Sequence, residues 1–289
     1  MEISGKTRVC GIIGDPVEHS LSPAMHNAAF QELNLDFVYV VFRVRKDELR
    51  EAIVGAKSLA IRGLNVTMPH KNAVMKYLDE IESTARAIGA VNTILNDKGR
   101  LIGYDTDGIG ALKALEENGI SLNGKKLLLL GAGGAGKAIA FHGAQEVEEL
   151  KILNRTTQKA KDLAEVLRKK FGKKIDGNSL SAKTMKKELE DTDILVNATS
   201  VGMHPKDDQS LVDASWLRPD LCVMDIVYNP IETKLAKDAK SVGAKVVSGV
   251  EMLVYQGAAS FEIWTDHPAP VKVMRQAILR KLSELGVHH

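Results

Sequence analysis

Cysteine is scarce: Cys10 and Cys222 are the only two in 289 residues. They lie too far apart for a closely spaced zinc cluster. Both sit in apolar runs, RVCGII and LCVMDIV, which reads as two buried, reduced thiols in strands. An excess of charge of either sign is missing too. With 39 basic and 37 acidic residues the net charge is +2. That removes any general attraction to nucleic acid or to an anionic membrane, so an anion must be bound by charge placed locally. No apolar run approaches the length of a membrane span, and the opening MEISGKTR lacks the apolar core of a signal peptide. The expected location is the reducing cytosol, that is, cytoplasmic. The eight histidines are scattered, without HExxH or comparable spacing, so no metal is expected. There is no internal repeat and no low-complexity linker. His288 and His289 carry no inference.

What is present is alternation. Apolar runs fall at 9–14, 36–44, 61–67, 90–96, 125–131, 149–154, 193–199, 221–227 and 244–249. Most are continuous, as in strands covered on both faces of a parallel sheet. Residues 22–33, 157–171 and 232–242 have helical spacing, with Ser22 placed as N-cap and Pro23 as the first helical residue. After about residue 249 the chain reads as helix only. Strand–helix alternation predicts an α/β fold. The length suits two domains, with the change placed near Asp107–Gly110.

The stretch LLLLGAGGAGKAIA runs from a continuous apolar strand into Gly131-x-Gly133-x-x-Gly136, then a helix, then the strand ELKILN. A lone GxGxxG is weak evidence, but here the whole βαβ context stands around it. Gly131 permits the tight turn, Gly133 lets a pyrophosphate approach the backbone, and Gly136 lets helix and strand pack closely. Free N–H groups at the helix start then face the anion. NAD sites usually place Asp or Glu at the end of the second strand, where it accepts from the ribose 2′-hydroxyl. This chain has Asn154-Arg155-Thr156-Thr157-Gln158-Lys159. A carboxylate would repel a 2′-phosphate, whereas Arg155 can pair with it bidentately. Thr156 is placed to cap the next helix and touch the same phosphate, and Lys159 adds charge one turn later. A solvated cationic helix start is the plain alternative.

Polar clusters in the first 108 residues fall at ends of predicted strands, where α/β sheets place ligands. They are His19-Ser20-Leu21-Ser22-Pro23, Asn65-Val66-Thr67-Met68-Pro69-His70-Lys71, Gly89-Ala90-Val91-Asn92-Thr93 and Gly103-Tyr104-Asp105-Thr106-Asp107-Gly108. Two hydroxyls at a helix start suit a carboxylate, although, taken alone, plain capping by Ser22 is the better explanation. On spacing alone, Lys71 and Asp107 are two ordinary charged residues.

Taken in order, SLSP, NVTxPxK, GAVNT, GxxTDxxG, GAGGAxxA, NRT, NATxxGM (Asn197 to Met203) and DxVYNPxxT (Asp225 to Thr233) resemble the shikimate dehydrogenase family over almost the whole chain. The resemblance implies reversible NADPH-dependent reduction of 3-dehydroshikimate to shikimate in aromatic amino-acid biosynthesis. It also implies a Rossmann-type NADP domain (108–249) and an α/β substrate-binding domain (1–107, completed by 250–289), with the active site in the cleft between them. Carried over by residue, Ser20 and Ser22 hold the substrate carboxylate, and Asn65, Thr67, Asn92 and Asp107 hold the ring hydroxyls and carbonyl. Lys71 transfers the proton beside Asp107, and Tyr228 and Gln256 close the site. Gly131, Ala132, Gly133, Gly134 and Ala135 face the pyrophosphate of NADP, and Asn154 to Lys159 face its adenosine phosphate. Thr199, Ile226, Gly249 and Met252 line the nicotinamide half. The implied partner is a small-molecule substrate, not nucleic acid or membrane, and a homodimer is compatible with the sequence.

Two departures stand out. Asp105 replaces a frequent Asn; if the segment is extended it points away from Asp107 and is structural or supporting. His70 replaces a more usual apolar residue and is expected to pack or to face solvent. Gly108, Gly110 and Gly249 suggest hinges near 105–110 and 248–252. Chemically, hydride arriving at a carbonyl leaves alkoxide charge that needs a proton or cation within reach, which Lys71 offers. The alternatives are a quinate/shikimate dehydrogenase using NAD or both coenzymes and a non-catalytic NADP-binding sensor on the same fold.

Overall fold

The structure, a computed structural model, describes residues 3–286. Met1, Glu2, His288 and His289 lie outside the described residues. The chain forms two compact units, residues 3–106 with 254–286, and residues 107–253.

The first unit begins with β1 (Arg8–Gly14), α1 (Ser22–Glu32), β2 (Phe37–Arg43), α2 (Leu49–Ser58), β3 (Gly63–Val66), β4 (Glu80–Ile81), α3 (Ser83–Ile88), β5 (Thr93–Asp97) and β6 (Arg100–Tyr104). Its sheet runs β2-β1-β3-β5-β6-β4. β1 pairs in parallel with β2 and β3, while β5 is antiparallel to both β3 and β6. β4 pairs in parallel with β6, so the expectation of parallel strands fails only at β5, which runs against the other five. β5 and β6 form a tight hairpin in which Asp97 faces Arg100, and Lys98 and Gly99 both take positive φ (51° and 88°). Two left-handed residues match the twist of the flanking strands.

The second unit holds α4 (Asp107–Glu117), β7 (Lys126–Leu130), α5 (Gly134–Glu146), β8 (Glu149–Asn154), α6 (Thr157–Phe171), β9 (Lys174–Ser179), α7 (Ala182–Leu189), β10 (Ile194–Asn197), β11 (Cys222–Asp225), α8 (Lys234–Ser241) and β12 (Lys245–Val247). Its sheet, β12-β11-β10-β7-β8-β9, is parallel throughout. Counted from β7, this is the 3-2-1-4-5-6 order of dinucleotide-binding sheets, with its switch point between β7 and β10. Helices cover such a sheet on both faces, which is why β7 (KLLLL) and β10 (ILVN) are apolar almost without interruption.

Two helices close the chain, α9 (Gly249–Thr265) and α10 (Val271–Gly286). The boundary between the units falls inside α9. α10 packs on α1. Trp264, on α9, lies so close to Gly63 that a Cβ there would stand 2.2 Å from its indole nitrogen. The indole N–H donates to the Ile94 carbonyl at 3.0 Å, and Arg62 Nε donates to the Trp264 carbonyl at 2.9 Å. The late helix is thereby pinned to β3 and β5 of the first sheet.

Three strands escape the apolar-run reading. β4 has two residues, β6 (RLIGY) is interrupted by glycine, and β9 (KIDGNS) is a polar edge strand. Among the described residues no helix is long and apolar enough to cross a membrane. Cys10 and Cys222 are buried free thiols, and burial pushes both above the usual thiol range.

Candidate active site

In the first unit the polar clusters converge on strand ends. α1 starts at Ser22 with Leu21, not Ser22, at the N-cap. The capping expectation fails because Ser22 already has helical backbone and its N–H donates to Ser20 Oγ at 3.2 Å. Ser20 stays half-buried, while Ser22 is buried with its hydroxyl free of any capping duty.

Asn65, on β3, is buried among hydrogen-bonding groups. The Tyr39 hydroxyl donates to Asn65 Oδ1 at 2.7 Å. Asn65 Nδ2 donates towards the Asn92 carbonyl (3.3 Å), Thr93 Oγ1 (3.2 Å) and Ser260 Oγ (3.0 Å). Asn92 is held with equal care. Its Oδ1 accepts from the Thr106 N–H at 2.8 Å and from Thr93 Oγ1 at 2.9 Å; its Nδ2 donates to Thr106 Oγ1 at 2.9 Å. Gln256 Oε1 lies 3.5 Å from the same nitrogen. Asn65, Asn92 and Gln256, from distant parts of the sequence, thus share one buried polar network. Thr67 and Lys71 follow β3 directly, and both are half-buried. Gly14 makes room for Thr67: a Cβ at Gly14 would stand 2.4 Å from Thr67 Cγ2. The Lys71 carbonyl accepts from the Val91 N–H at 2.8 Å, so the backbones beside Lys71 and Asn92 run together.

His70 is buried, and its Nε2 lies 2.7 Å from the Val44 carbonyl. A carbonyl only accepts, so Nε2 carries the proton. His70 therefore packs and does not face solvent; it pins the loop that carries Lys71 to the chain just after β2. Asp105 is buried. The extended reading of its segment ends before Asp107, because Asp107 is the first residue of α4. There its buried carboxylate sits at the positive end of the helix.

In the second unit the glycine loop has the geometry its spacing predicts. Gly131 takes φ +104°, open to glycine and strained for other residues. A Cβ on Gly136 would lie 2.2 Å from the Gly131 carbonyl, so the turn and α5 touch backbone to backbone. Gly133 is the N-cap of α5 and has nothing within 4 Å of where a Cβ would stand. With Ala132, Gly134 and Ala135 it leaves an open approach to the first N–H groups of a 13-residue helix. These features fit a dinucleotide pyrophosphate. Asn154 Oδ1 accepts from the Ala132 N–H at 3.1 Å, and Asn154 Nδ2 donates to the Thr156 carbonyl at 3.0 Å. The end of β8 is thus tied to the glycine loop. Arg155, Thr156 and Lys159 are exposed around the start of α6. Thr156 occupies the N-cap, but its side chain makes no capping hydrogen bond.

Across the switch point, Thr199 lies beside Gly131, its Cγ2 3.1 Å from the position of a Cβ there. Thr199 Oγ1 donates to Asn197 Oδ1 at 2.7 Å, and Asn197 Nδ2 donates to Asp225 Oδ1 at 3.0 Å. Asp225 also accepts from the Val227 N–H (3.1 Å) and Thr233 Oγ1 (2.7 Å). Burial still raises its pKa above the ordinary carboxylate value against these three bonds. This clamp sets the chain leaving β11, which carries Ile226 and the half-buried Tyr228. Gly249 abuts that chain: a Cβ would stand 2.5 Å from the carbonyls of Ile226 and Val227. Met252 follows, buried, one turn into α9. Gly108 is tight as well, with Ala138 O 2.6 Å from a Cβ. Two of the three glycines that suggested hinges, Gly108 and Gly249, thus also have a packing role. Among the described residues no group of three or more His, Cys, Asp or Glu is arranged to hold a metal ion.

Residues to which the sequence reading assigns no role of their own include Tyr39, Thr93, Thr106 and Ser260 in the first unit, and Asn197, Asp225 and Thr233 in the second. Ser260 follows Gln256 by four residues on α9, a helical spacing that signals a shared face. Tyr39 gives no such signal, because one hydroxyl inside FVYVVFR reads as core.

Residues 12–94 match the family model of the shikimate dehydrogenase substrate binding domain. Residues 113–239 match shikimate / quinate 5-dehydrogenase, and 249–279 match the shikimate 5′-dehydrogenase C-terminal domain. The chain is 49% identical over 287 residues to the shikimate dehydrogenase (NADP(+)) of Methanocaldococcus jannaschii, covering 98% of this chain and 100% of that one. The chain belongs to the shikimate dehydrogenase family. Among solved structures, a shikimate dehydrogenase in complex with NADP+ superposes with a TM-score of 0.92 at 48% identity, over 97% of this chain and 98% of that one. Shikimate 5-dehydrogenase from Listeria monocytogenes, solved with shikimate and NAD, gives 0.90 at 40% identity, over 96% and 98%.

Proposed function

We propose that this shikimate dehydrogenase family member is an NADP-dependent oxidoreductase that interconverts 3-dehydroshikimate and shikimate, with NADPH as the reductant. The observation that carries the reading is the buried network joining Asn65, Asn92 and Gln256, beside the Ser20–Ser22 hydroxyls and the loop of Lys71. Such a set suits a small ring with one carboxylate and several hydroxyls. Near-full-length identity to enzymes named for this reaction supports it.

NADPH, when bound, supplies the hydride. Ser20 and Ser22 hold the substrate carboxylate, and Asn65, Thr67, Asn92, Tyr228 and Gln256 fix the ring. Alkoxide charge growing on the carbonyl oxygen takes a proton from Lys71 Nζ, and oxidation runs the same transfer backwards. Asp107 orients the lysine ammonium and holds a ring hydroxyl. The open N–H groups along Gly131 to Ala135 take the pyrophosphate. Asn154 shapes the adjoining loop, Arg155 with Thr156 and Lys159 takes the 2′-phosphate, and Thr199, Ile226, Gly249 and Met252 border the nicotinamide. On this reading residues 1–107 with 250–289 serve the substrate and 108–249 the coenzyme. The reducing cytosol is the proposed location, supported by the two buried free thiols.

The test is NADPH consumption with 3-dehydroshikimate, run beside 3-dehydroquinate and beside NADH. The expected result is fastest turnover with 3-dehydroshikimate and NADPH. Faster turnover with NADH would overturn the coenzyme reading, and faster turnover with 3-dehydroquinate the substrate reading.

A further inference from the structure

We propose that Tyr39 and Ser260 are positioning residues that clamp the Asn65 side-chain amide in one orientation, so that its oxygen is presented to the substrate ring. The inference rests on Asn65 touching the substrate, as proposed above.

The argument is one of donors and acceptors. Asn65 Nδ2 faces the Asn92 carbonyl, which can only accept. The atom there must therefore be the nitrogen, which fixes the orientation of the amide. Its oxygen then faces Tyr39, whose hydroxyl has one proton and donates it to Oδ1 at 2.7 Å. On the nitrogen side Ser260 Oγ lies at 3.0 Å, the shortest of the three contacts that Nδ2 makes. The Ser260 hydroxyl in turn donates to the Gln256 carbonyl one helical turn back, at 3.0 Å, which leaves its lone pairs facing Asn65. Both amide protons are thus directed into the protein, and Oδ1, which takes the Tyr39 proton and also faces the His26 ring, is the end of the amide able to accept from an incoming hydroxyl.

Tyr39 is itself immobilised. It is 2% exposed, and its ring stacks on His26 at 4.5 Å between centroids and leans on Trp264 at 5.9 Å. Burial drives its phenol well above the ordinary tyrosine range, with a hydrogen bond to Ser22 opposing. The phenol therefore stays protonated as a donor. The bond to Ser22 also places Tyr39 between the proposed carboxylate end and the proposed hydroxyl end of the same ligand. Without the clamp a buried amide can turn over, presenting N–H groups where the ring needs an acceptor. No apolar residue of similar shape supplies that control.

The test is a double-mutant cycle read on kcat/KM for shikimate, with KM for NADP+ measured alongside. Tyr39→Phe keeps the stacked ring and removes only the hydroxyl. It should lower kcat/KM for shikimate about tenfold, mostly through KM, the size of one lost hydrogen bond to a buried polar group. KM for NADP+ should stay within about twofold. In an Asn65→Ala background the same change should cost almost nothing, because no amide is left to orient. Ser260→Ala should follow the same pattern with a smaller loss, about threefold, since Thr93 and the Asn92 carbonyl remain. It decides the question if Tyr39→Phe yields no folded protein. Losses that multiply in the double variants, or that fall equally on both substrates, overturn the clamp. Wild-type turnover of shikimate separates the two readings. Its absence counts against the activity, whereas normal turnover with multiplying losses counts against the clamp alone.

Discussion

The substrate-side network and the glycine loop recognise ligands by opposite means. In the first unit the candidate groups are side chains, buried and bound to one another: Asn65 to Tyr39 and Ser260, Asn92 to Thr93 and Thr106. In the second unit the recognition surface is bare backbone at Gly133, bordered by exposed Arg155 and Lys159. The hydroxyls of a polyhydroxylated ring acid need directed donors and acceptors, which pre-oriented side chains provide. A pyrophosphate needs charge and clearance, which a helix start and missing Cβ atoms provide. Substitutions should therefore act through orientation in one unit and through space and charge in the other.

The largest expected effect separates chemistry from binding. Lys71→Ala should lower kcat by about 10²–10⁴, the usual worth of a positioned proton donor, while NADPH affinity is unchanged. Stopped-flow turnover beside fluorescence titration of NADPH measures both, and a variant with normal kcat would end the proton-transfer role. Gly136→Ala probes clearance. Its Cβ would meet the Gly131 carbonyl at 2.2 Å, and overpacking of this kind costs about 1–3 kcal/mol. The expected outcome is a lower melting temperature and weaker NADP+ binding, with the shikimate-side residues undisturbed. Unaltered NADP+ affinity would mean that the close contact is irrelevant to the loop. Arg155→Ser should raise KM for NADPH about 10–100-fold, one charge-assisted contact, and leave KM for NADH nearly as it was. An equal rise for both coenzymes would place Arg155 somewhere other than at the 2′-phosphate.

Near neutral pH the smallest effect comes from His26, which acts on stability only below about pH 6.5. Burial holds the His26 imidazole at a pKa of about 3, with the Asn65 side chain pulling it upward. A folded pKa below the unfolded value of about 6.5 means that the unfolded chain binds the extra proton. Stability should therefore fall as pH drops from about 6.5 towards 3, by up to about 1.4 kcal/mol per pH unit from this residue. His26→Phe keeps a stacked ring against Tyr39 and should flatten the slope of unfolding free energy against pH by about one proton. An unchanged slope would show that His26 does not titrate in this way.

The second unit was far more legible than the first. Apart from polar edge strand β9, its strands fall in apolar runs because a parallel sheet is covered on both faces, and Gly131, Gly133 and Gly136 each have a local backbone reason. In the first unit β6 is hard to see: RLIGY is short, and its pairing depends on the two-residue turn at Lys98-Gly99. Polar edge strand β9 gives no apolar signal at all. Ser22 misled because a hydroxyl before proline looks like a cap, whereas the helix already includes it. Lys71 and Asp107 were recognisable only through their family motifs, since charge in isolation says nothing about burial. Tyr39 lay hidden in a core strand because a hydroxyl's partner, Asn65 here, is set by register between strands and not by local sequence.

The Asn154 bridge bears on how coenzyme preference could evolve. A carboxylate at 154, the residue an NAD enzyme usually holds there, would still accept from the Ala132 N–H but could not donate to the Thr156 carbonyl. One substitution would then alter both the discriminating charge and the shape of the phosphate loop. In this chain a mutational path towards NAD runs more smoothly by first losing Arg155, which touches neither bond, with Asn154 changing afterwards or not at all.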